Sequence, residues 1–170
     1  MARIEYPECG RIVNTHGCHG GVKAESWCDT PAVLAALPAV YLKTATGMTP
    51  HRVRHASVFR DRFVFLELDG VERMEEAEAL RGQILFAKRD DLHLPEDAVL
   101  VAELTGMPVI DADTHETIGT LREVIHPGAT DIYVVDTPRG EAMIPAVPAF
   151  VRSVSAERGV EITPIEGLLP

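Results

Sequence analysis

Short apolar runs of Val, Ile, Leu and Phe recur along the chain, and polar and turn residues separate them. Alternation of apolar and polar positions over four to eight residues is typical of half-buried β-strands. In the first half the pattern predicts strands at 11–15, 21–27, 40–45, 51–59, 62–68 and 83–87. In the second half it predicts strands at 107–111, 118–126, 131–136, 141–144 and 159–163.

Helices are predicted only in short pieces. Asp29 or Thr30 as N-cap, with Pro31 in the first turn, predicts a helix over 32–37. A second helix is predicted over 74–80, where Glu and Ala dominate and Gly82 follows. A third helical turn is predicted at 149–154. The fold class expected from this pattern is mainly β, with two small β-barrel domains joined by a short linker.

The domain boundary is expected in a charged, proline-containing stretch, 89–97. We therefore predict a first barrel at 1–90, a linker at 91–98 and a second barrel at 99–170. The charge balance changes at the same place. Residues 1–93 carry 12 Lys and Arg against 13 Asp and Glu, and residues 94–170 carry 4 against 13, which together give the net charge of −10.

That charge argues against a general nucleic-acid binder, since such proteins are usually basic. An acidic second half instead favours a basic protein partner, although solubility alone explains it equally well. The 170 residues contain no apolar run of spanning length and no signal-peptide pattern near the start, so a soluble, cytoplasmic protein is expected. We expect no cofactor and a monomer.

Arginines in the 51–68 hairpin are candidates for contact with RNA. With Arg60 and Asp61 as a two-residue turn, Arg52 and Arg54 lie on one side of a strand, about 6.5–7 Å apart, which suits neighbouring phosphates. The same register places Asp69 opposite Arg52 and Glu67 opposite Arg54. Salt-bridged arginines and RNA-binding arginines are therefore both open interpretations.

Thiols and imidazoles cluster near the start of the chain at Cys9, His16, Cys18 and His19, with Cys28 further on. Such residues can ligate zinc or supply a nucleophile. Their spacing lacks the short gaps of a zinc knuckle, and no third group orients a nucleophile. Buried cysteines and turn histidines are the simpler interpretation, so catalytic and metal residues are predicted to be absent.

Several blocks of sequence resemble the RimM family of ribosome maturation factors. In chain order these blocks are Gly10–Gly17 with Gly20, Val22 and Lys23; Leu68–Val71; Ala77–Gly82; Ile118–Thr120; Gly128–Asp131; Ile144–Ala146; Phe150–Val151; and Glu166–Leu169. The resemblance implies an N-terminal RimM-type six-stranded barrel and a C-terminal PRC-type barrel. It also implies a non-enzymatic factor that binds the free small ribosomal subunit and assists head folding and rRNA processing.

The partners implied by this resemblance are a basic head-domain ribosomal protein, the nineteenth of the small-subunit series, and small-subunit rRNA. Family members carry an aromatic pair where this chain has Val99 and Leu100, so the contact is expected to be weaker or shifted towards 144–151. The residues predicted to bind the ribosomal protein are Val99, Leu100, Ile144, Pro145 and Phe150. Those predicted to lie near RNA are Arg52, Arg54, Arg60 and Arg62.

The signature residues His16, Gly17, Gly20 and Lys23 have either a structural or a functional role. Two other functions stay open at this point. One is a metal- or thiol-dependent β-barrel enzyme that uses Cys9, His16, Cys18 and His19. The other is an adaptor barrel whose partner is not the ribosome.

Overall fold

In residues 3–170, which the computed structural model describes, β-strands dominate and the helices are short. The predicted mainly β class is confirmed. The chain divides into one unit formed by Ile4–Leu94 and another that contains Pro95–Pro170. The boundaries 1–90, 91–98 and 99–170 for independently folding domains stay a prediction.

Six strands of the first unit close into a barrel in the order β1-β2-β5-β4-β3-β6. Their bounds are β1 Glu8–His16, β2 Gly21–Ser26, β3 Ala39–Thr44, β4 Gly47–Val58, β5 Phe63–Leu68 and β6 Ile84–Phe86. Alternate apolar side chains point inward, so that Ile12, Val22, Val64 and Leu66 are fully or almost fully buried in its core. A closed barrel leaves no sheet edge unpaired.

Two α-helices and one 3-10 helix accompany this barrel. Helix α1 spans Pro31–Ala35 and α2 spans Met74–Ala79, close to the predicted positions, and the 3-10 helix spans Arg89–Leu92. Leu34 of α1 and Ala77 of α2 are fully buried in the barrel core. None of the described helices is long and apolar enough to cross a membrane.

The second unit contains one six-stranded sheet in the order β10-β9-β8-β7-β12-β11. Its strands are β7 Pro108–Asp111, β8 Thr117–Ile125, β9 Ile132–Thr137, β10 Gly140–Pro145, β11 Val151–Ser155 and β12 Gly159–Ile162. All neighbours are antiparallel except β7 and β12, which are parallel. Leu121, Val135, Ile144 and Ile162 are fully buried in the core of this unit.

Two short elements of the second unit differ from the prediction. The helical turn predicted at 149–154 is wrong, because Val151–Ser155 forms β11 and pairs with β12. A four-residue helix, α3 Val101–Leu104, lies at the start of the predicted second barrel, where neither a helix nor a strand was predicted. Its start is held reciprocally: Leu100 N donates to Glu103 Oε2 at 3.0 Å, and Glu103 N donates to Leu100 O at 2.8 Å.

The turn of the β4–β5 hairpin contains three residues rather than the predicted two. Phe59 N donates to Phe63 O at 2.9 Å, which leaves Arg60–Arg62 in the loop. The extra residue shifts the register by one, so that Val58 pairs with Val64 and Ser57 with Phe65. Ser57 and Phe59 are both exposed in this register.

A β-bulge in β4 then restores the predicted register. The shift lies between Val53, which pairs with Leu68, and His55, which pairs with Glu67, so Arg54 is the extra residue. Arg54 consequently does not lie opposite Glu67 as predicted. Both the loop and the bulge decide which side chains of this hairpin face outward.

Candidate functional site

An exposed cluster of aromatic and cationic side chains covers the outer face of the barrel where β1, β2 and β5 lie side by side. In β2 and β5, Lys23 pairs with Phe65 and Glu25 pairs with Phe63. Their neighbours in sequence, Val22, Ala24, Val64 and Leu66, face the core. Because side chains alternate along a strand, these pairs must point outward. We call His16, Lys23, Phe59, Arg60, Phe63 and Phe65 together the aromatic surface.

His16 lies against Phe65 in this surface. Their ring centroids are 3.7 Å apart and their planes differ by 9°, which is a stacked arrangement. His16 pairs with Gly21 across β1 and β2. Since Gly21 has no side chain, the imidazole can cross β2 and reach the phenyl ring on β5. The residue His16 nevertheless stays exposed.

The phenyl rings are joined to each other and to two cations. Phe59 and Phe65 have centroids 4.9 Å apart, within the 4.5–7 Å range of interacting aromatic pairs. Lys23 Nζ lies 4.4 Å from the Phe63 ring centroid and 5.5 Å from that of Phe59, and the Arg60 guanidinium carbon lies 4.7 Å from that of Phe59. These are cation–π distances.

The four arginines predicted to lie near RNA have different surroundings. Arg54 Nε is 3.3 Å from Asp69 Oδ1, and its Nη2 donates to Leu68 O at 3.3 Å and Val71 O at 3.4 Å. Arg62 Nη1 is 3.8 Å from Glu25 Oε1. The side chain of Arg52 is exposed and makes no ion pair within the described part of the chain. Only Arg60 of the four belongs to the aromatic surface, so the structure does not gather them into one cluster.

The signature residues divide between structural and surface positions. Gly20 adopts a φ of +87°, and a Cβ placed on it would lie 2.3 Å from Val71 O. Only glycine permits that close approach between the β1–β2 turn and the segment that follows β5. Gly17 also has a positive φ, +72°, but faces open space. His16 and Lys23, by contrast, lie in the aromatic surface.

The three cysteines have different surroundings, since Cys9 is buried, Cys28 is half-buried and Cys18 is exposed. In residues 3–170 no three His, Cys, Asp or Glu side chains come together in a way that would hold a metal ion. Cys9 is buried, and burial raises the pKa of its thiol, with nearby Cys28 adding to the shift. Burial also raises the pKa of Cys28, and a hydrogen bond with the Ser26 side chain offsets part of this rise. Both shifts disfavour the reactive thiolate.

The outer side of the second sheet carries a group of carboxylates around one arginine. Arg122 Nη1 lies 3.0 Å from Asp136 Oδ1, Nη2 lies 3.6 Å from Glu123 Oε1, and Nη2 also pairs with Glu141. These partners come from β8, β9 and β10, and all four side chains are about half exposed. We call Glu123, Asp136 and Glu141 the acidic face. Arg122 carries one positive charge, so it neutralises only part of the three negative charges of the acidic face.

The residues predicted to bind a ribosomal protein are mostly half-buried. Ile144 is fully buried, so its side chain belongs to the core and is not available to a partner. Val99 and Phe150 pack against that core and are partly exposed, and Leu100 and Pro145 are also partly exposed. The sequence analysis did not single out Val101 and Met143, which are 48% and 52% exposed.

Sequence reasoning also missed the three phenylalanines of the aromatic surface. Phe59, Phe63 and Phe65 are not among the predicted site residues. One signal was present: Phe63 and Phe65 alternate with the apolar Val64 and Leu66, as Lys23 alternates with Val22 and Ala24. Aliphatic residues on one face of a strand and aromatic residues on the other indicate that its outer face is not simply solvated.

Comparison with protein families and known proteins adds two domain matches. Residues 8–92 match the RimM N-terminal domain and residues 101–168 match the RimM PRC barrel domain. The curated ribosome maturation factor RimM of Ruminiclostridium cellulolyticum is 32% identical over 98% of this chain and 99% of its own length. The protein of the same name from Symbiobacterium thermophilum is 34% identical over 99% and 97%.

Solved structures give weaker similarities. A crystal structure described as a putative 16S ribosomal RNA processing protein RimM from Pseudomonas aeruginosa is 22% identical, with a TM-score of 0.47, over 94% of this chain and 98% of its own. The solution structure of the N-terminal domain of RimM from Thermus thermophilus is 23% identical, with a TM-score of 0.44, over 54% and 98%.

Proposed function

Because this chain belongs to the RimM family of ribosome maturation factors, we propose that it binds the free small ribosomal subunit through a basic ribosomal protein of the head domain. The protein meant is the nineteenth of the small-subunit series. Bound there, the chain assists folding of the head and processing of small-subunit rRNA. The role is one of binding, without covalent chemistry.

The acidic face is the observation that carries this proposal. Its three carboxylates surround a single arginine on three neighbouring strands, and residues 94–170 have a net charge of −9, from 4 Lys and Arg against 13 Asp and Glu. Ribosomal proteins that contact RNA are basic, so opposite charges steer the two surfaces together. Exposed charges of this kind act mainly on the association rate and its salt dependence.

An apolar contact completes the proposed interface. We place it at the partly exposed Val99, Leu100, Pro145 and Phe150, together with the exposed Val101. Aliphatic side chains keep apolar burial but lack the stacking that aromatic anchors provide. The proposed contact therefore depends more on charge here than it would with an aromatic pair at positions 99 and 100.

Cosedimentation of the full chain with immature small subunits tests the proposal. We expect binding to free small subunits and not to complete ribosomes, and we expect added salt to weaken it. The double variant Glu123→Gln/Glu141→Gln removes two charges from the acidic face. It is expected to bind several-fold more weakly and to lose part of the salt dependence.

The matched control is Glu75→Gln/Glu78→Gln, which makes the same change of net charge in α2 of the first unit. It should bind like the unmodified chain, since its carboxylates lie outside the acidic face. If both double variants bound the small subunit equally weakly, the net charge of the chain, and not the acidic face, would explain the loss of binding. A chain that captures no ribosomal protein, but does capture another protein, would favour the adaptor function instead.

A further inference from the structure

The proposed protein contact does not use the aromatic surface of the first unit. Three phenyl rings and one imidazole lie on its outer face, and Phe59 is 44% exposed. The core of the closed barrel is formed by other side chains, so these rings are not needed to fill it. Exposed contiguous aromatic groups on a soluble protein mark an interaction site.

Two cations of this surface have no acidic partner. Within residues 3–170, neither Lys23 nor Arg60 makes an ion pair, and both lie over aromatic rings. The nearest carboxylate on the same strand, Glu25, is occupied: it accepts from Trp27 Nε1 at 3.2 Å and pairs with Arg62. The ammonium and guanidinium groups therefore keep donors free for an anionic ligand.

Two further carboxylates lie near these rings in the chain. Asp61 lies in the same loop as Arg60 and Arg62, and Glu67 is exposed on β5, two residues beyond Phe65. Neither carboxylate forms an ion pair with Lys23 or Arg60 in the described part of the chain. The surface thus combines flat apolar rings with two cationic groups that make no ion pair within residues 3–170.

We propose that the aromatic surface binds an unpaired nucleotide of single-stranded RNA. The base packs against both His16 and Phe59, which are exposed, and Lys23 and Arg60 contact the flanking phosphates. This inference rests on the proposed function, since rRNA of the immature subunit is the RNA that the chain would meet. It adds a binding site distinct from the arginines at positions 52 and 54.

Single-stranded RNA is favoured over a duplex or a protein for a physical reason. Bases of a duplex are stacked on each other, so their faces are not available to a protein ring, whereas unpaired bases stack readily on aromatic and imidazole groups. Phosphates on both sides of each base require cations beside the rings. A basic protein would be repelled by Lys23 and Arg60.

Fluorescence of a short unstructured RNA that carries one 2-aminopurine tests this inference with the full chain. We expect quenching on binding, and weaker binding to a duplex of the same sequence. Phe59→Ala and His16→Ala should each weaken binding at least about fivefold, because one stacked base is worth about 1–3 kcal/mol. Phe59→Tyr should bind like the unmodified chain.

Val58→Ala is the matched control, since Val58 is 46% exposed and adjacent to Phe59 but pairs with the core residue Val64. It should leave RNA binding unchanged. Equal affinity for duplex and single strand, no measurable binding, or no effect of Phe59→Ala in a variant with unchanged thermal unfolding would each overturn the inference. The variant Glu123→Gln/Glu141→Gln separates the two proposals, because it should weaken subunit binding without affecting RNA quenching.

Discussion

The Arg54 guanidinium lies 3.3 Å from the carboxylate of Asp69, the residue that directly follows β5. The pairing exists because Arg54 is the extra residue of a β-bulge, which turns its side chain towards the end of β5. There it also donates to the carbonyls of Leu68 and Val71. The arginine therefore fastens the segment that follows β5 to the barrel wall.

This relationship predicts different effects for two arginines that are two residues apart. Arg54→Ala should lower the free energy of unfolding by about 1 kcal/mol, since it removes a half-exposed ion pair and two long hydrogen bonds. Arg52→Ala should change it by less than about 0.5 kcal/mol, because Arg52 has no such contacts. Urea unfolding of the two variants measures the difference. Equal effects would show that the Arg54 contacts add nothing to stability.

Two glycines of the β1–β2 turn provide a second matched pair. Gly20→Ala should destabilise the chain by about 3 kcal/mol, because the new methyl group would meet Val71 O and the backbone has a positive φ. Gly17→Ala should lower the free energy of unfolding by only about 1 kcal/mol. Its new methyl group would contact nothing within 4 Å, so only the positive φ is unfavourable. Thermal unfolding should rank the two variants in that order, and the reverse order would contradict the close approach at Gly20.

The cysteines should react with alkylating reagents in a fixed order. Cys18 is exposed, Cys28 is half-buried and Cys9 is buried. Because burial raises the pKa of both Cys28 and Cys9, their thiolate populations are also smaller. Timed iodoacetamide labelling with mass spectrometry should show Cys18 modified first and Cys9 last. Fast labelling of Cys9 in the folded chain would contradict its place in the core.

Alkaline pH should destabilise the chain through Cys9. The pKa of this thiol is raised in the folded state above its ordinary value of 9.0, so the folded state holds the proton more tightly than the unfolded state. The resulting stability is present below pH 9.0 and is lost as the pH rises above it. Cys9→Ala should show a smaller decrease in unfolding free energy between pH 8 and 10 than the unmodified chain.

Acidic pH should act in the opposite direction through Asp111. Its carboxylate accepts from Asp113 N at 2.8 Å and Thr114 N at 3.1 Å, and these bonds lower its pKa below the ordinary 3.8. The stability they supply is present above pH 3.8 and is lost as the pH falls through the lowered value. Asp111→Asn should therefore lose less stability than the unmodified chain on acidification, as followed by circular dichroism.

Alternating patterns predicted eleven of the twelve strands in residues 3–170, all except β11, but not their exact pairing. The period-two alternation of apolar residues alone predicts a buried face, which is formed by Val22, Ala24, Val64 and Leu66. The loop of the β4–β5 hairpin and the bulge at Arg54 depend on backbone conformation at single residues, such as Asp61 with its φ of +53°. An apolar–polar pattern does not predict the backbone conformation of single residues. One added residue nevertheless moves every following side chain to the other face of the sheet.

The candidate sites were predicted less completely than the fold. His16, Lys23 and Arg60 were singled out in the sequence, but their meeting with Phe59 and Phe65 depends on the register of the β4–β5 hairpin. The acidic second half was visible in composition, whereas the grouping of Glu123, Asp136 and Glu141 arises only when β8, β9 and β10 align. Ile144 shows the converse: an apolar residue beside prolines is equally compatible with a core and with a surface.

The parallel pairing of β7 with β12 sets an order of events during synthesis. β7 pairs with β8 on one side and with β12 on the other. Because Val109 of β7 pairs with Val160 of β12, this second pairing forms only after Val160 has left the exit tunnel. Contacts between residues this distant in sequence form slowly, since a long loop must close first. The barrel of the first unit needs no residue beyond Leu94 for its strands. A nascent chain would thus hold a finished barrel while the sheet after it still awaited its last strands.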